Sequence, residues 1–211
     1  MRVCEIFASI QGESSHAGVP CTFIRLTGCN LRCSYCDTAY AYTEGIELTE
    51  DEIVGSVKDI GLKTVEITGG EPMLQADVHP LLKRLLDEGY RVLIETNGSM
   101  DISEVDKRAV IILDIKTPGS GMSGEMRMSN LDYLKPQDEI KFVISSRGDY
   151  DWSRDFVLRH SLMGKRTILF SPVHGKMDPG DLSQWIIGDR LDVRLNLQLH
   201  KSLYGLDRRG V

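Results

Sequence analysis

Cys29-Asn30-Leu31-Arg32-Cys33-Ser34-Tyr35-Cys36-Asp37-Thr38 sets three cysteines within eight residues, and the rest of the chain reads as a scaffold for it. Short polar spacers let such a loop fold back and aim three sulfurs at one centre. A structural zinc site is normally closed by four protein ligands, and an electron-carrying 4Fe-4S cluster by four cysteines. With three, one iron stays open to an outside ligand, which makes the loop a site for chemistry.

Working outward, residues 21–27 before the loop read as a buried strand interrupted by Arg25, and residues 3–10 have β character. A charge in such a strand is costly unless paired or aimed into a polar pocket. Arg25 is therefore either a salt-bridged edge residue or a bidentate clamp for a ligand carboxylate. Beyond the loop, Thr49-Glu50-Asp51-Glu52 is a capping box that opens a helix carrying Ile53, Val54, Val57 and Ile60, and Gly61 closes it. Residues 63–68 form a strand with Gly69-Gly70-Glu71-Pro72 at its carboxyl end, where paired glycines allow close backbone approach to a ligand. Residues 79–88 and 150–163 are helical by period, 91–95, 110–115 and 139–145 are strands, and Asn97-Gly98 is a turn. Strand 167–170 leads into the loop Ser171-Pro172-Val173-His174-Gly175, helix 181–187 follows, and residues 192–199 read as a last strand before His200-Lys201.

Strand and helix alternate, and nearly every candidate residue lies after a strand, the arrangement of a parallel β/α barrel. At 211 residues the chain falls short of the ~250 of a full eight-unit barrel. The expectation is an α/β fold, a partial, open parallel β/α barrel in a single domain spanning residues 1–211, with 117–135 as a reduced connection.

The cysteine loop, Gly69-Gly70-Glu71-Pro72 and the amino-terminal Glu5-Ile6-Phe7-Ala8-Ser9-Ile10-Gln11-Gly12-Glu13-Ser14 together resemble the radical S-adenosylmethionine (SAM) enzymes, and within them the 7-carboxy-7-deazaguanine synthase branch of queuosine biosynthesis. The resemblance covers nearly the whole chain. It implies that Cys29, Cys33 and Cys36 hold a 4Fe-4S cluster whose open iron is chelated by SAM, and that Thr38 ligates Mg2+. It places SAM against Tyr35, Cys36, Asp37, Gly70, Glu71, Asp114, Ile115, Lys116 and the segment Ser171, Pro172, Val173 and His174. It places the substrate, 6-carboxy-5,6,7,8-tetrahydropterin, against Ile10, Gln11, Gly12, Glu13, Arg25, Thr68, Gly70 and His200. Read from the residues alone, Gln11 and Glu13 are also compatible with a solvated turn, Thr38 with a helix cap, and His174 and Lys116 with surface positions. The resemblance further implies a flavodoxin as electron donor and a homodimer. Some relatives place a terminal carboxylate in the pocket; the tail Tyr204-Gly205-Leu206-Asp207-Arg208-Arg209-Gly210-Val211 assigns no such role to Val211, and Arg208 and Arg209 read as solvated.

Composition narrows the alternatives. With 25 Lys and Arg against 31 Asp and Glu the net charge is −6, which argues against nonspecific nucleic-acid binding. No apolar run is long enough to span a bilayer, the amino terminus lacks signal-peptide character, and five cysteines form an odd set, so no disulfide framework is expected. A cytoplasmic location fits best, with Cys4 and Cys21 as buried small apolar residues. The rival readings are a radical SAM activase that makes a glycyl radical on a protein partner, and a noncatalytic zinc module with its three cysteines closed by His16 or Asp37.

Overall fold

The computed structural model describes residues 1–205 and 208–210. They form one nine-stranded sheet in the spatial order β3-β1-β2-β4-β5-β6-β7-β8-β9. The strands are β1 (Arg2–Ile10), β2 (Pro20–Leu26), β3 (Ile46–Glu47), β4 (Thr64–Gly69), β5 (Arg91–Thr96), β6 (Val110–Ile115), β7 (Glu139–Ile144), β8 (Thr167–Pro172) and β9 (Arg194–Leu195). From β2 through β9 every neighbouring pair is parallel, giving the open, partial β/α barrel that the alternation predicts.

The first strands depart from the parallel plan. β1 runs antiparallel to β2, and β3 antiparallel to β1. The β1–β2 connection is too short for a crossover, which takes a dozen or more residues. It folds instead as a hairpin closed by Gln11 N–H to the Val19 carbonyl and Gly18 N–H to the Gln11 carbonyl, both at 2.8 Å.

The helices are α1 (Glu50–Ile60), α2 (Val78–Asp87), α3 (Asn130–Tyr133), α4 (Arg147–Arg159), α5 (Pro179–Gly188) and α6 (Leu199–Tyr204). α1 starts at the capping box, with Thr49 and Glu52 bonding each other's backbone, and stops at Gly61 in the left-handed region. α4 begins three residues earlier than its apolar period suggests, because Ser146 caps it by accepting from Asp149 N–H. Two other differences have local causes. β8 runs on through Ser171 and Pro172, because both still pair with β7. The last strand shrinks to two residues: Asn196 still donates to the Phe170 carbonyl (2.9 Å) and to Ser171 Oγ (2.7 Å), but Leu199 already opens α6. Cys21 is buried as expected, whereas Cys4 is only half-buried.

Strand alternation divides the sheet chemically. Val65, Ile67, Val92, Ile94, Leu113, Ile115, Ile140, Phe142, Ile168 and Phe170 join the apolar core shared with α1, α2, α4 and α5. Phe142 anchors it, meeting Phe156 and Phe170 edge-on at 5.6 Å between ring centres. The alternate positions of the same strands (Glu66, Thr68, Glu95, Asp114, Lys141 and Ser171) face the interior of the barrel and line one cavity. The β6–β7 connection is reduced to α3 and is pinned by Asn130, whose buried side chain donates to the carbonyls of Gly98 (2.9 Å) and Met100 (2.8 Å). Asn130→Ala strands both acceptors and is expected to cost roughly 1–3 kcal/mol, read as a lowered urea midpoint with an unchanged m-value.

Candidate active site

The cavity opens at the carboxyl ends of the parallel strands and holds about 310 Å³. The cysteine loop forms one of its walls. Cys29, Cys33 and Cys36 are half-buried, unpaired and all on the cavity surface. Hydrogen bonds to its neighbours hold the loop in place: Ser34 N–H to the Ser120 carbonyl (3.0 Å), Ser34 Oγ to the Gly119 carbonyl (2.7 Å), and Tyr35 Oη to the Val143 carbonyl (3.1 Å).

Beneath the loop runs the Gly69-Gly70-Glu71-Pro72 segment. Gly70 N–H donates to the Leu26 carbonyl (3.2 Å) and Glu71 N–H to the Gly28 carbonyl (2.8 Å). A Cβ on Gly70 would lie 2.1 Å from the Gly28 oxygen and 2.8 Å from Cys29 Cβ, so only glycine fits. Glu71 itself is fully buried off the cavity wall. It accepts from Thr96 Oγ1 (2.7 Å), Asn97 N–H (2.7 Å) and Met73 N–H (3.0 Å), tying the end of β4 to the end of β5. Ile115, the other expected residue outside the lining, belongs to the outer apolar core.

The donor set suits an iron–sulfur cluster. Burial raises the Cys29 and Cys33 thiols, an effect that bound iron reverses by taking them as thiolates. Cys29 Sγ already accepts from Leu31 N–H (3.4 Å) and Asn97 Nδ2 (3.8 Å), the kind of N–H···S contact that stabilises cluster thiolates. Among the described residues no three His, Cys, Asp or Glu side chains are grouped around one point. Cluster cysteines, by contrast, bind separate irons.

The opposite wall carries the residues expected at the substrate. Lys141, 5 % exposed, bridges Glu13 (2.9 Å) and Glu95, with Asp114 at 3.8 Å. Burial disfavours the Glu13 carboxylate, but the Lys141 ammonium outweighs it and holds Glu13 down at about 2. Burial likewise opposes the Lys141 charge, and Glu13 and Glu95 hold it well above the ordinary lysine value. Gln198 adds a 2.9 Å bond to Glu13, and Lys201 pairs with Asp37 at 2.8 Å. Gly12 accepts from Leu199 N–H at 2.8 Å and has no room for a side chain, since a Cβ would meet His200 Nδ1 at 2.1 Å. Arg25 is salt-bridged, Nε donating to Glu5 Oε1 at 2.7 Å, on a strand flanked by β1 and β4 rather than at an edge, and it lines the cavity.

Ile10, Gln11, Thr38, Thr68, Lys116, Ser171, Pro172, Val173 and His174 also lie on the wall. Arg209 is exposed but engaged, with Nη1 2.9 Å from Glu44 and its guanidinium 3.8 Å from the Tyr40 ring centre; Leu206, Asp207 and Val211 lie outside the described residues. Glu66, Glu95, Lys141 and Gln198 complete the site without having been singled out from the sequence. The rule that drew attention to Arg25, a charge inside an apolar strand, applies equally to Glu66, Glu95 and Lys141.

Comparison with known proteins agrees with this geometry. The family model for the radical SAM superfamily matches residues 23–115. A 7-carboxy-7-deazaguanine synthase of Koribacter versatilis is 46 % identical, with all of both chains covered. The enzyme of the same name from Chlorobaculum tepidum is 44 % identical over 100 % of this chain and 97 % of its own. This chain belongs to the 7-carboxy-7-deazaguanine synthase family of radical SAM enzymes. Family membership implies a 4Fe-4S cluster and SAM. The fold agrees as well: the crystal structure of QueE from Escherichia coli superposes with a TM-score of 0.79 at 23 % identity, over 94 % of each chain. Streptococcus suis SuiB bound to its precursor peptide SuiA reaches 0.59 at 19 % identity, over 83 % of this chain and 47 % of that one.

Gly70→Ala is expected to displace Cys29 and to reduce bound iron and sulfide per chain by at least about half after anaerobic reconstitution, measured by metal analysis and visible absorbance.

Proposed function

We infer that this chain converts 6-carboxy-5,6,7,8-tetrahydropterin to 7-carboxy-7-deazaguanine with loss of ammonia. The observation that carries the reading is one cavity of about 310 Å³ that joins a three-cysteine loop to a wall of hydrogen-bonding groups, in a chain aligned end to end with synthases of that name. Substrate and product differ by one ammonia, so the conversion is redox-neutral overall, and SAM is recovered rather than spent.

In this reading Cys29, Cys33 and Cys36 hold the cluster. Tyr35, Cys36, Asp37, Gly70, Glu71, Asp114, Ile115, Lys116 and residues 171–174 hold SAM, with Glu71 and Ile115 acting through their backbone because their side chains face away from the cavity. When bound and reduced, the cluster and SAM supply a hydrogen-abstracting radical. The chain binds, orients and shields. Ile10, Gln11, Gly12 and Glu13 take the polar edge of the pterin, with Thr68 and His200 beside them. Arg25 turns the guanidinium edge not used by Glu5 toward the substrate carboxylate. Thr38 would be one protein ligand to Mg2+, offering a neutral hydroxyl oxygen to a hard cation.

Residues 1–211 act as one domain in this reading, supported by the single continuous sheet. We assign a flavodoxin-type electron donor and a homodimer by family analogy. The five unpaired cysteines support a reducing, cytoplasmic setting. No described helix is long and apolar enough to cross a membrane.

Anaerobically reconstituted protein given SAM, dithionite, Mg2+ and 6-carboxytetrahydropterin should yield 7-carboxy-7-deazaguanine by mass spectrometry, with many turnovers per SAM consumed. 5′-Deoxyadenosine without that product would overturn the reading in favour of an activase. Cys33→Ala is expected to abolish cluster absorbance and SAM cleavage together. Arg25→Ala should lower kcat/KM by about 10²-fold while iron content stays unchanged; normal turnover would remove Arg25 from substrate binding.

A further inference from the structure

Glu66 lies in the middle of β4, two residues before Thr68 and on the same inward face, with 2 % of its surface exposed at the cavity floor. Its partner is Gln11, and the sense of that contact is fixed by chemistry. The Glu13 backbone N–H can only donate, so Gln11 Oε1 faces it and Gln11 Nε2 faces Glu66 Oε2. Among the described residues this is the one hydrogen bond made by the Glu66 carboxyl, which leaves its second oxygen toward the cavity. The surrounding groups do not neutralise a charge there. Cys21 on β2 is a buried thiol, Glu95 on β5 is acidic, and Lys141 on β7 is already committed to Glu13 and Glu95. Burial, reinforced by the Glu95 carboxyl, pushes Glu66 up to about 8, so it carries its proton at neutral pH. A neutral carboxyl accepts through one oxygen and donates through the other, which a carboxylate cannot do.

We propose that Glu66 is a recognition residue for the pyrimidine edge of the substrate, anchoring Gln11 through one oxygen and donating a hydrogen bond through the other to an acceptor atom of a 2-amino-4-oxopyrimidine ring. The proposal rests on the pterin reading above and deepens it. Gln11 and Glu66 together form a rigid pair in which each group's role as donor or acceptor is set before the ligand arrives. Ionisation of Glu66 turns its free oxygen into an acceptor facing a ligand acceptor, so affinity falls as pH rises through the Glu66 value.

The test uses cluster-loaded protein with SAM and Mg2+ under anaerobic conditions, titrated calorimetrically with 7-carboxy-7-deazaguanine, which carries the same pyrimidine edge. Unsubstituted protein should lose about tenfold in affinity between about pH 7 and about pH 9. Glu66→Ala should bind about tenfold more weakly at about pH 7. Glu66→Gln, which keeps an acceptor for Gln11 and an N–H donor for the ring, should restore most of that affinity and flatten the alkaline fall. Ring ionisation of the ligand is common to all three proteins, so the difference between the Glu66 and Gln profiles isolates residue 66. An identical alkaline fall in Glu66→Gln overturns the proposal, as does undiminished binding by Glu66→Ala. If Glu66→Ala fails to fold, the Gln profile alone decides. If the unsubstituted protein binds no 7-carboxy-7-deazaguanine at any pH, the function reading itself fails, and the Glu66 proposal falls with it.

Discussion

The 2.8 Å hydrogen bond from Glu71 N–H to the Gly28 carbonyl is the contact on which the site depends. It joins the carboxyl end of β4 to the second residue after β2, one position before Cys29. Because Gly69 and Gly70 present no side chain, the two backbones approach until a Cβ would overlap the Gly28 oxygen, and Cys29 is thereby fixed against the cavity. Glu71 then carries the constraint onward to Thr96 and Asn97, and Asn97 returns to Cys29 Sγ. The geometry of the cysteine loop is thus set by neighbouring strand ends as much as by its own spacers.

The second constraint is electrostatic. Lys141, Glu13 and Glu95 are taken out of water together, a cost that one ammonium between two carboxylates offsets only with good geometry and further hydrogen bonds. Gln198 supplies one such bond, from a position 185 residues away in sequence. Replacing such a buried network by well-packed apolar side chains is often neutral or stabilising, so the barrel does not need it for stability. Arg25, Glu5 and Tyr40 form a separate grouping, with both Arg25 Nε and Tyr40 Oη donating to Glu5 Oε1. The cavity therefore carries an arginine–glutamate pair in one place and a lysine between two glutamates in another.

Much of this was legible in the residues. The capping box at Thr49, the stop at Gly61 and the helix–strand alternation gave the fold class, because local periods report burial directly. The cysteine spacing and the paired glycines gave the loop and its floor. Direction and length of pairing were not legible. Nothing local to residues 2–10 says that β1 runs antiparallel, which follows from how short its hairpin is. Nor does residue 196 announce that its side chain will reach Ser171 on β8, or that the last strand is only two residues long. Glu66, Glu95 and Lys141 sit at alternating positions in apolar strands, and that they share one cavity becomes visible only when β4, β5 and β7 are placed side by side.

The wall that completes the cavity comes from the two ends of the chain. Leu199 N–H bonds the Gly12 carbonyl, Gln198 bonds Glu13, Lys201 pairs with Asp37 beside the last cysteine, and His200 fills the space that a side chain at residue 12 would need. A hydrogen-abstracting intermediate attacks whatever C–H bond lies nearest, so its selectivity depends on excluding solvent and fixing the substrate. In this fold that exclusion cannot be achieved by the central strands alone, because an open barrel leaves its interior exposed on the side it does not close. The hairpin after β1 and the helix α6 fill that side, and they do so through hydrogen bonds to one another rather than through apolar packing. Closure of the cavity on that side is therefore built from the two ends of the chain together, the first hairpin and the last helix bonded to each other.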